Sequence, residues 1–283
     1  MAGLSNKPDT LYISGAMSGI GRALAGAYLQ RGARVAIFDL RIDEGVLQEL
    51  DKLRQSGAQQ LVAHAADVTD FQALQAAVEQ AAQAIGEPAL AIRCAGIQRA
   101  RPFEPLSHED FEQVVQVNLF GSRKFSAALL PRMQRGSRLA LVSSLAGFTA
   151  NYSYAAYSAS KFAVVGLAKV LRLEYKPRGI GVSLICPPEV DTPMVLAEQK
   201  NMHPASRELK GFGGSLTLEA ALAGILAGLD AGRELIIPGR KARLSYFCNR
   251  YLPDFIVNGL VDRVVASALA KTAAGKPTAS RPP

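Results

Sequence analysis

The amino-acid sequence predicts an α/β protein built on one doubly wound parallel sheet. Short apolar runs alternate with helical stretches along about 230 residues, which is the pattern of a parallel sheet covered on both faces. A glycine-rich turn joins the first of these runs to the first helical stretch. Because crossovers between parallel strands are right-handed, we expect a doubly wound sheet of about seven strands, followed by a C-terminal helical extension.

The apolar runs are predicted as strands because each is short and alternates with a helical stretch. They cover residues 11–13, 34–38, 61–65, 89–93, 138–142, 181–186 and 234–237. The stretches between them carry apolar residues at helical spacing. They cover the residues from the glycine turn to 31, then 43–56, 71–85, 108–133, 154–176 and 218–229.

Ligands of such sheets bind at the carboxyl ends of the strands, where the residues that follow each strand meet. In this sequence those residues are Gly15, Asp39, Asp67, Gly96, Ser144 and Pro187. We therefore expect one site at that edge of the sheet.

Composition limits the class of protein. The chain has 283 residues and is 49% hydrophobic, which suffices for one large core or two modest ones. No apolar run approaches the ~20 residues of a membrane span, and residues 1–9 are polar, without a signal-peptide core. Three scattered cysteines and three separated histidines predict neither a disulfide framework nor a metal site. These features predict a cytoplasmic protein without a metal.

The net charge of +8 favours an acidic partner or surface. No arginine-rich block or aromatic-interleaved basic stripe is visible, so nucleic acid is not expected. Part of the excess lies late in the chain, at Arg233, Arg240, Lys241, Arg243 and Arg250.

The glycine-rich turn predicts a dinucleotide site, because it lies between a strand and a helix. Gly15 would allow a tight turn, Gly19 would let the backbone approach a pyrophosphate, and Gly21 would permit close helix–strand packing. The N-terminus of the helix then offers free N–H groups to the phosphates. A glycine loop without a ligand is the alternative. The candidate residues of this turn are Ser14, Gly15, Ser18, Gly19, Ile20 and Gly21.

Asp39 ends the second predicted strand, about 20 residues beyond the glycines, where a carboxylate binds ribose hydroxyls and repels a 2′-phosphate. Ser18 and Leu40 offer no positive charge for such a phosphate, whereas Arg41 could if its loop turned inward. The sequence therefore favours NAD(H) over NADP(H).

A proton-transfer site is predicted from Tyr157 and Lys161, which lie four residues apart on one face of a helix. A phenol ionises near pH ~10, and a nearby ammonium favours the phenolate and lowers its pKa. That shift would bring Tyr157 into range for proton transfer. Ser144 would emerge beside the pair at a strand end. The same spacing also arises by chance on many helices.

Taken together, these features resemble the short-chain dehydrogenase/reductase family over about residues 8–240. The motifs agree in order and spacing. They are the glycine turn at 14–21, Asp67-Val68, Cys94-Ala95-Gly96, Val117-Asn118-Leu119, Ser144 thirteen residues before Tyr157, Tyr157 with Lys161, and the stretch 187–193.

The resemblance implies a catalytic role for four residues. Tyr157 would be the general acid/base, and Lys161 would lower its pKa and hold the nicotinamide ribose. Ser144 would bind the substrate oxygen, and Asn118 would hold a water that connects Lys161 to solvent.

The resemblance also implies a larger cofactor site. Asp67 and Val68 would contact adenine, and Val190 and Thr192 would position the nicotinamide carboxamide. Together with the residues of the glycine turn and Asp39, the other expected cofactor-binding residues are Ala95, Gly96, Pro187, Tyr157 and Lys161.

Two positions depart from the family pattern. Cys94 replaces the usual Asn, and Pro188 replaces the glycine that usually follows Pro187. The stretch 187–193 and the basic, apolar C-terminal segment resemble the 3-ketodihydrosphingosine reductase branch. Members of that branch use NADPH on a long-chain 3-keto amino alcohol. Asp39 does not fit NADPH well, so the resemblance to this branch settles neither the cofactor nor the substrate.

The substrate pocket is expected between residues 145–154 and a lid at 189–214. Their apolar side chains favour a hydrophobic secondary alcohol or ketone, either a long-chain acyl compound or a steroid-like one. The alternative is that these side chains only pack on the Tyr157 helix. They are Phe148, Tyr152, Tyr154, Met194, Val195, Leu196 and Met202.

The domain organisation follows from these assignments. Residues 1–240 would form a single Rossmann-type domain for dinucleotide binding and catalysis, 241–270 an amphipathic helical extension, and 271–283 a disordered tail. The extension could lie on an anionic membrane surface, or pack within the chain or across a subunit interface. We expect a homodimer or a homotetramer.

The sequence thus predicts an oxidoreductase that transfers a hydride between a nicotinamide cofactor and a hydrophobic secondary alcohol or ketone. One alternative is an NADPH-dependent reductase of the 3-ketosphinganine or 3-oxoacyl type. Another is a dinucleotide-binding regulator without catalysis, which would need none of Tyr157, Lys161, Ser144 and Asn118.

Overall fold

The centre of the molecule is a seven-stranded sheet in which every pair of neighbours is parallel, in the part of the chain that the computed structural model describes (residues 8–57, 59–199 and 202–274). The strands of this sheet are β1 (Thr10–Ser14), β2 (Arg34–Asp39), β3 (Leu61–Ala65), β4 (Leu90–Arg93), β5 (Arg138–Val142), β6 (Gly181–Ile185) and β9 (Leu235–Ile236). Their order is β3-β2-β1-β4-β5-β6-β9. The predicted doubly wound sheet is confirmed.

Two further strands, β7 (Glu189–Val190) and β8 (Ser215–Leu216), pair in parallel outside this sheet. They tie the two ends of the region that was predicted as a lid.

Helices connect the strands and cover both faces of the sheet. They are α1 (Gly19–Gln30), α2 (Glu44–Asp51), α3 (Phe71–Ile85), α4 (His108–Val115), α5 (Gly121–Leu129), α6 (Ala155–Tyr175), α7 (Pro193–Gln199), α8 (Pro204–Gly213), α9 (Leu218–Asp230), α10 (Arg240–Tyr251) and α11 (Asp254–Ala273). The helix predicted over 43–56 ends at Asp51. The helices predicted over 108–133 are α4 and α5, which a π-helical turn, Gln116–Phe120, joins.

Each face of the sheet has its own apolar core. Tyr12 and Phe38 belong to the core on one face, together with Phe125 of α5, and Ile13 belongs to the core on the other face, together with Leu24 of α1. All five residues of β1 are buried, as expected of a central strand covered on both sides. Each such fully buried large apolar side chain contributes about 1.5–3 kcal/mol to stability.

The position of the site follows from the strand order. From β1 the chain leads to β2 on one side, whereas β4 pairs with the other side of β1. The loops that follow β1 and β4 therefore diverge, and a crevice opens at the carboxyl ends of the strands.

The C-terminal extension consists of two helices, because Pro253 and the extended Leu252 interrupt the segment between α10 and α11. Helix α11 contacts α8. Its less exposed residues, Val257, Val261, Val264, Val265 and Ala268, recur at helical spacing and share one face. The apolar stripe of the extension is therefore used, at least in part, for packing within the chain.

The tail predicted over 271–283 is helical at its start, since α11 continues to Ala273. Residues 275–283 lie outside the described residues. None of the helices in the described ranges is both long and apolar enough to cross a bilayer.

Candidate active site

The carboxyl ends of the strands open into one cavity of about 740 Å³ that extends from the glycine turn to the two C-terminal helices. Sixteen of the predicted site residues line it: Gly15, Ser18, Gly19, Ile20, Gly21, Asp39, Asp67, Val68, Ala95, Gly96, Ser144, Tyr157, Lys161, Pro187, Val190 and Thr192. The other two, Ser14 and Asn118, are buried and lie outside its wall.

The glycine turn is packed backbone against backbone. Gly15 has a φ of +73°, and a Cβ atom there would overlap the backbone of Ala95. A Cβ atom on Gly21 would overlap the carbonyl oxygen of Gly15. Ser18 precedes α1 without a side-chain capping bond, so the first N–H groups of the helix face the turn without a side-chain partner from it. This arrangement fits the phosphates of a dinucleotide.

Asp39 braces the glycine turn from the end of β2. Its carboxylate accepts hydrogen bonds from the backbone N–H groups of Met17 (3.0 Å) and Leu40 (2.8 Å). Arg41 is exposed and does not line the cavity. Among the described cavity-lining residues no arginine occurs, whereas the carboxylates of Asp39 and Asp67 both line the cavity.

Asn118 lies in the π-helical turn and joins the loop after β4 to α6. Its amide group exchanges two hydrogen bonds with the backbone of Ile97, both 2.9 Å long, and donates a third to Ser160 Oγ at 3.0 Å. A Cβ atom on Gly96 would come within 3.2 Å of Asn118 Oδ1 and 3.6 Å of Lys161 Nζ. The π-helical turn thus fixes the loop beside Lys161.

Ser144 begins the short 3₁₀ turn Leu145–Gly147, and its hydroxyl accepts a hydrogen bond from Ala146 N–H at 3.1 Å. The preceding Ser143 donates to the carbonyl oxygen of Lys161 at 3.0 Å. These contacts hold the end of β5 against α6. As a result, Ser144 forms a side-chain hydrogen bond with Tyr157.

Lys161 is buried next to Tyr157. Its ammonium donates to the carbonyl oxygen of Val142 at 3.1 Å and lies 5.4 Å from the centroid of the Tyr157 ring. Burial lowers the pKa of Lys161 to about 8, and the nearby positive charge of Arg93 acts in the same direction. Lys161 therefore loses its proton near neutral pH more readily than an ordinary lysine.

Burial raises the pKa of Tyr157, while the hydrogen bond with Ser144 and the charge of Lys210 act to lower it. This differs from the expectation that Lys161 would lower the pKa of the tyrosine. The reason is that desolvation of the phenol is the largest effect, and that Lys161 stands over the ring and bonds to a backbone carbonyl. Tyr157 is thus held as a protonated phenol, the form that donates a proton.

Arg93 is a buried cation that the sequence analysis did not identify. It is 1% exposed and donates to the carbonyl oxygens of Ala95 and Val117, the latter at 2.6 Å. Burial lowers its pKa to about 10. None of the ion pairs among the described residues includes Arg93. Arg93 links the loop after β4 to the π-helical turn. This role was not predicted, because a single arginine at the end of a strand does not indicate it in the sequence.

The far end of the cavity is apolar. Of the residues predicted for it, Tyr154, Met194 and Val195 line the cavity. The C-terminal helices and α8 supply further lining residues that were not predicted. They are Leu209, Phe212, Leu244, Leu252, Ile256, Val257, Leu260 and Val261.

Four residues predicted for the pocket do not line it. Phe148 packs against Tyr246 with ring centroids 4.7 Å apart, and Tyr152 packs against His203 at 4.5 Å. Leu196 faces outward and Met202 is buried elsewhere. For these four residues the predicted place in the pocket wall is wrong.

Comparison with known proteins agrees with the motifs and the geometry. The family model described as short chain dehydrogenase matches residues 9–203. A 3-ketodihydrosphingosine reductase from Mus musculus is 32% identical over 203 residues, which are 70% of this chain and 60% of the mouse protein. Oxidoreductase UcpA from Salmonella typhimurium is 36% identical over 197 residues, or 68% of this chain and 74% of that protein.

Solved structures agree in fold. A short chain dehydrogenase from Mycobacterium paratuberculosis, solved bound to NAD, superposes with a TM-score of 0.75 at 24% identity, over 86% of this chain and 99% of that one. The resemblance to the 3-ketodihydrosphingosine reductase branch is also confirmed, although the match covers less than two thirds of the mouse protein. The matching family model, the parallel sheet and the Ser144–Tyr157–Lys161 arrangement lead to one conclusion. The chain belongs to the short-chain dehydrogenase family of nicotinamide-dependent oxidoreductases.

Proposed function

We propose that this protein transfers a hydride between a nicotinamide cofactor and a hydrophobic secondary alcohol or ketone. The observation that carries the proposal is that one cavity contains the glycine turn at one end, Ser144, Tyr157 and Lys161 in the middle, and an apolar wall at the other end. Such an arrangement places a cofactor, a proton donor and an aliphatic substrate in line.

Each side chain of the site has a separate role in the proposed reaction. The bound dinucleotide supplies the hydride in reduction and accepts it in oxidation. In reduction, Ser144 orients the substrate oxygen by a hydrogen bond and Tyr157 donates the proton that converts it to a hydroxyl. In oxidation, Tyr157 takes that proton back. The buried Lys161 lies beside Tyr157, and its lowered pKa lets it change its protonation near neutral pH.

NAD(H) is the proposed cofactor in preference to NADP(H). Asp39 would lie against the adenosine ribose, and a 2′-phosphate there would meet an uncompensated carboxylate. In complex with NAD, a carveol dehydrogenase from Mycobacterium avium has the same fold, with a TM-score of 0.73 at 23% identity over 83% of this chain and 98% of that one. The 3-ketosphinganine-type alternative would instead require NADPH, so the choice of cofactor separates the two.

The first experiment is a fluorescence titration of the protein with NADH and, separately, with NADPH, followed by an assay with aliphatic ketones. We expect NADH to bind at least about tenfold more tightly, because one like-charge repulsion of ~1.4 kcal/mol has that effect. Tighter binding of NADPH would contradict the role of Asp39. Binding of neither nucleotide would contradict the proposed function as a whole.

The names of the relatives point to two kinds of substrate. Several are named 3-ketodihydrosphingosine or 3-dehydrosphinganine reductases, from mouse, cattle and zebrafish, at 32–33% identity. Another is a D-threitol dehydrogenase from Mycolicibacterium smegmatis, at 37% identity. The apolar lining by Leu252, Ile256 and Leu260 supports a long aliphatic substrate and a role in lipid metabolism over a small polyol.

A second proposed feature is contact with an anionic membrane. Helices α10 and α11, which contribute residues to the cavity wall, also carry exposed apolar side chains, including Phe247 and Phe255, the latter 77% exposed. Arg240, Arg243 and Arg250 lie on α10. Each basic residue near an anionic surface adds about 1 kcal/mol to binding. A long-chain substrate could then enter directly from the lipid.

Vesicle flotation tests this contact. We expect the protein to float with vesicles that contain phosphatidylserine at low salt, and to be released as salt screens the charges. Phe255→Ser should weaken the binding. If the protein stays unbound at low salt, the membrane proposal fails.

The oligomeric state stays a prediction. Light scattering would show whether the protein is a homodimer or a homotetramer.

A further inference from the structure

Arg93 is a buried cation at the end of β4 to which the proposed reaction gives no role. It is 1% exposed, and its guanidinium donates to the carbonyl oxygen of Val117 at 2.6 Å and to that of Ala95. Arg93 Nε is buried and has no hydrogen-bond partner among residues 8–57, 59–199 and 202–274. The guanidinium is therefore held by backbone carbonyl oxygens, and no carboxylate of those ranges forms an ion pair with it.

The end of the π-helical turn leaves room for this guanidinium. Val117 lies in the turn, and Gly121 follows it directly. A Cβ atom on Gly121 would lie 2.7 Å from Arg93 Nη2 and 3.0 Å from a methyl group of Val68. Turns of the π-helical kind are rare and often occur at functional sites. Glycine at position 121 therefore accommodates the large side chain at position 93.

Arg93 holds the loop that packs against Lys161. Its partner Ala95 immediately precedes Gly96, and a Cβ atom on Gly96 would lie 3.6 Å from Lys161 Nζ. The backbone of this loop thus lies against the ammonium of Lys161 and is fixed by the guanidinium of Arg93 one residue earlier. Two buried positive charges are therefore positioned by the same loop.

Near neutral pH, Arg93 carries a charge and the thiols beside Lys161 do not. After burial, the groups that act on the pKa of Lys161 are Arg93, which lowers it, and the thiols of Cys94 and Cys186, which raise it. Burial raises the pKa of Cys94 to about 11 and that of Cys186 to about 12, so both thiols are neutral near pH 8. Burial lowers the pKa of Arg93 only to about 10, so its guanidinium is still protonated there.

Three further titratable groups lie around the two cations. Tyr157 is below the ammonium of Lys161 on the same helix and is held as a neutral phenol. The carboxylate of Asp39, at the end of β2, acts on Arg93 and raises its pKa, without displacing burial as the largest effect. Lys210 of α8 acts on the phenol of Tyr157. The guanidinium is thus the charged neighbour through which a substitution would act on Lys161.

We propose that Arg93 is a positioning residue for the proposed reaction, which fixes the loop after β4 against Lys161 and supplies the charge that controls proton exchange at that lysine. The inference rests on the proposed function, because there Lys161 serves the proton transfer by Tyr157. Lys161 is 5% exposed and Arg93 is 1% exposed, so water screens the repulsion between them poorly. Without the guanidinium, Lys161 should keep its proton to higher pH.

The test is a ¹³C NMR titration of the protein without cofactor or substrate, labelled at the ε-carbon of lysine. The signal of Lys161 is the one that Lys161→Met lacks. Arg93→Met removes the charge and the hydrogen bonds, whereas Arg93→Gln removes the charge and keeps an amide donor for the carbonyl oxygens. Arg138→Met is the matched control, because Arg138 is also buried with a pKa lowered by burial, but begins β5 at the opposite end of the sheet.

We expect the wild-type signal of Lys161 to titrate at about pH 8. Both variants of Arg93 should raise this midpoint by ~0.5–1 pH unit, the effect of removing one unit charge from the surroundings of a buried amine. Arg138→Met should leave the midpoint unchanged. In the assay of ketone reduction, the limb of the pH–rate profile near pH 8 should move in the same direction as the midpoint.

An unchanged midpoint in both variants of Arg93 would overturn the inference. An equal shift in Arg138→Met would also overturn it, since loss of any buried arginine would then explain the result. If Arg93→Met does not fold, Arg93→Gln decides by the same criterion.

The titration needs no turnover, so its result is separate from that of the proposed function. Loss of nucleotide binding with the shift intact would count against the proposed function and not against the effect of Arg93 on Lys161. Full ketone reduction with an unshifted midpoint would overturn the role of Arg93 and leave the proposed function intact.

Discussion

Replacing Tyr157 by phenylalanine is expected to lower kcat for ketone reduction by about 10²- to 10⁴-fold, the range for loss of a general acid. The phenylalanine ring fills the same space beside Tyr154 and beneath the ammonium of Lys161, so the fold should be preserved. Only the hydroxyl that bonds with Ser144 is lost. The measurement is single-turnover reduction followed by NADH absorbance.

The same variant should bind NADH with a Kd within about threefold of the wild-type value, because the glycine turn and Asp39 are untouched. A non-catalytic dinucleotide-binding regulator would also retain binding, but it would show no Tyr157-dependent turnover to lose. Tyr152→Phe is the matched control, since Tyr152 packs on His203 and does not line the cavity. Equal activity of Tyr157→Phe and Tyr152→Phe would contradict the assignment of the general acid.

The strands and the cofactor end of the site were predictable because their determinants are local in sequence. The strands at 61–65 and 138–142 and the helix at 71–85 have the predicted bounds. Asp70 accepts the capping bonds of that helix, and Gly86 follows it with a positive φ. The parallel topology then brings the ends of the strands together, which is why Asp39 and Tyr157 line one cavity.

The substrate end could not be predicted in the same way, because its residues come from separate segments whose arrangement depends on tertiary packing. Lys210 and Glu198 are twelve positions apart. Each of them, taken alone in the sequence, is typical of an exposed charged side chain. Leu252 and Ile256 enter the cavity wall only because the chain turns at Pro253 and α11 packs on α8. Pro253 was the one local signal of that break.

Gly21→Ala should have the second large effect, on cofactor binding. The added Cβ atom would overlap the carbonyl oxygen of Gly15, and neither atom can move without displacing backbone. Overpacking of this kind costs ~1–3 kcal/mol, so we expect NADH to bind about 10- to 100-fold more weakly. Fluorescence titration measures the change, and circular dichroism shows whether the variant is folded.

Gly166→Ala is the matched control for this experiment. Gly166 lies inside α6 with nothing within 4 Å of an added Cβ atom, so the alanine should raise stability by about 0.4–1 kcal/mol through a less flexible unfolded chain. If Gly21→Ala does not fold, Gly19→Ala is the second probe: its φ of +52° strains an alanine, and the added Cβ atom would meet the side chain of Thr192 at 3.3 Å rather than backbone. A glycine-to-alanine change is thus expected to weaken NADH binding in the turn and to raise stability in α6, because only the turn brings two backbone segments into contact. Undiminished NADH affinity in both turn variants would mean that the dinucleotide does not bind at this turn.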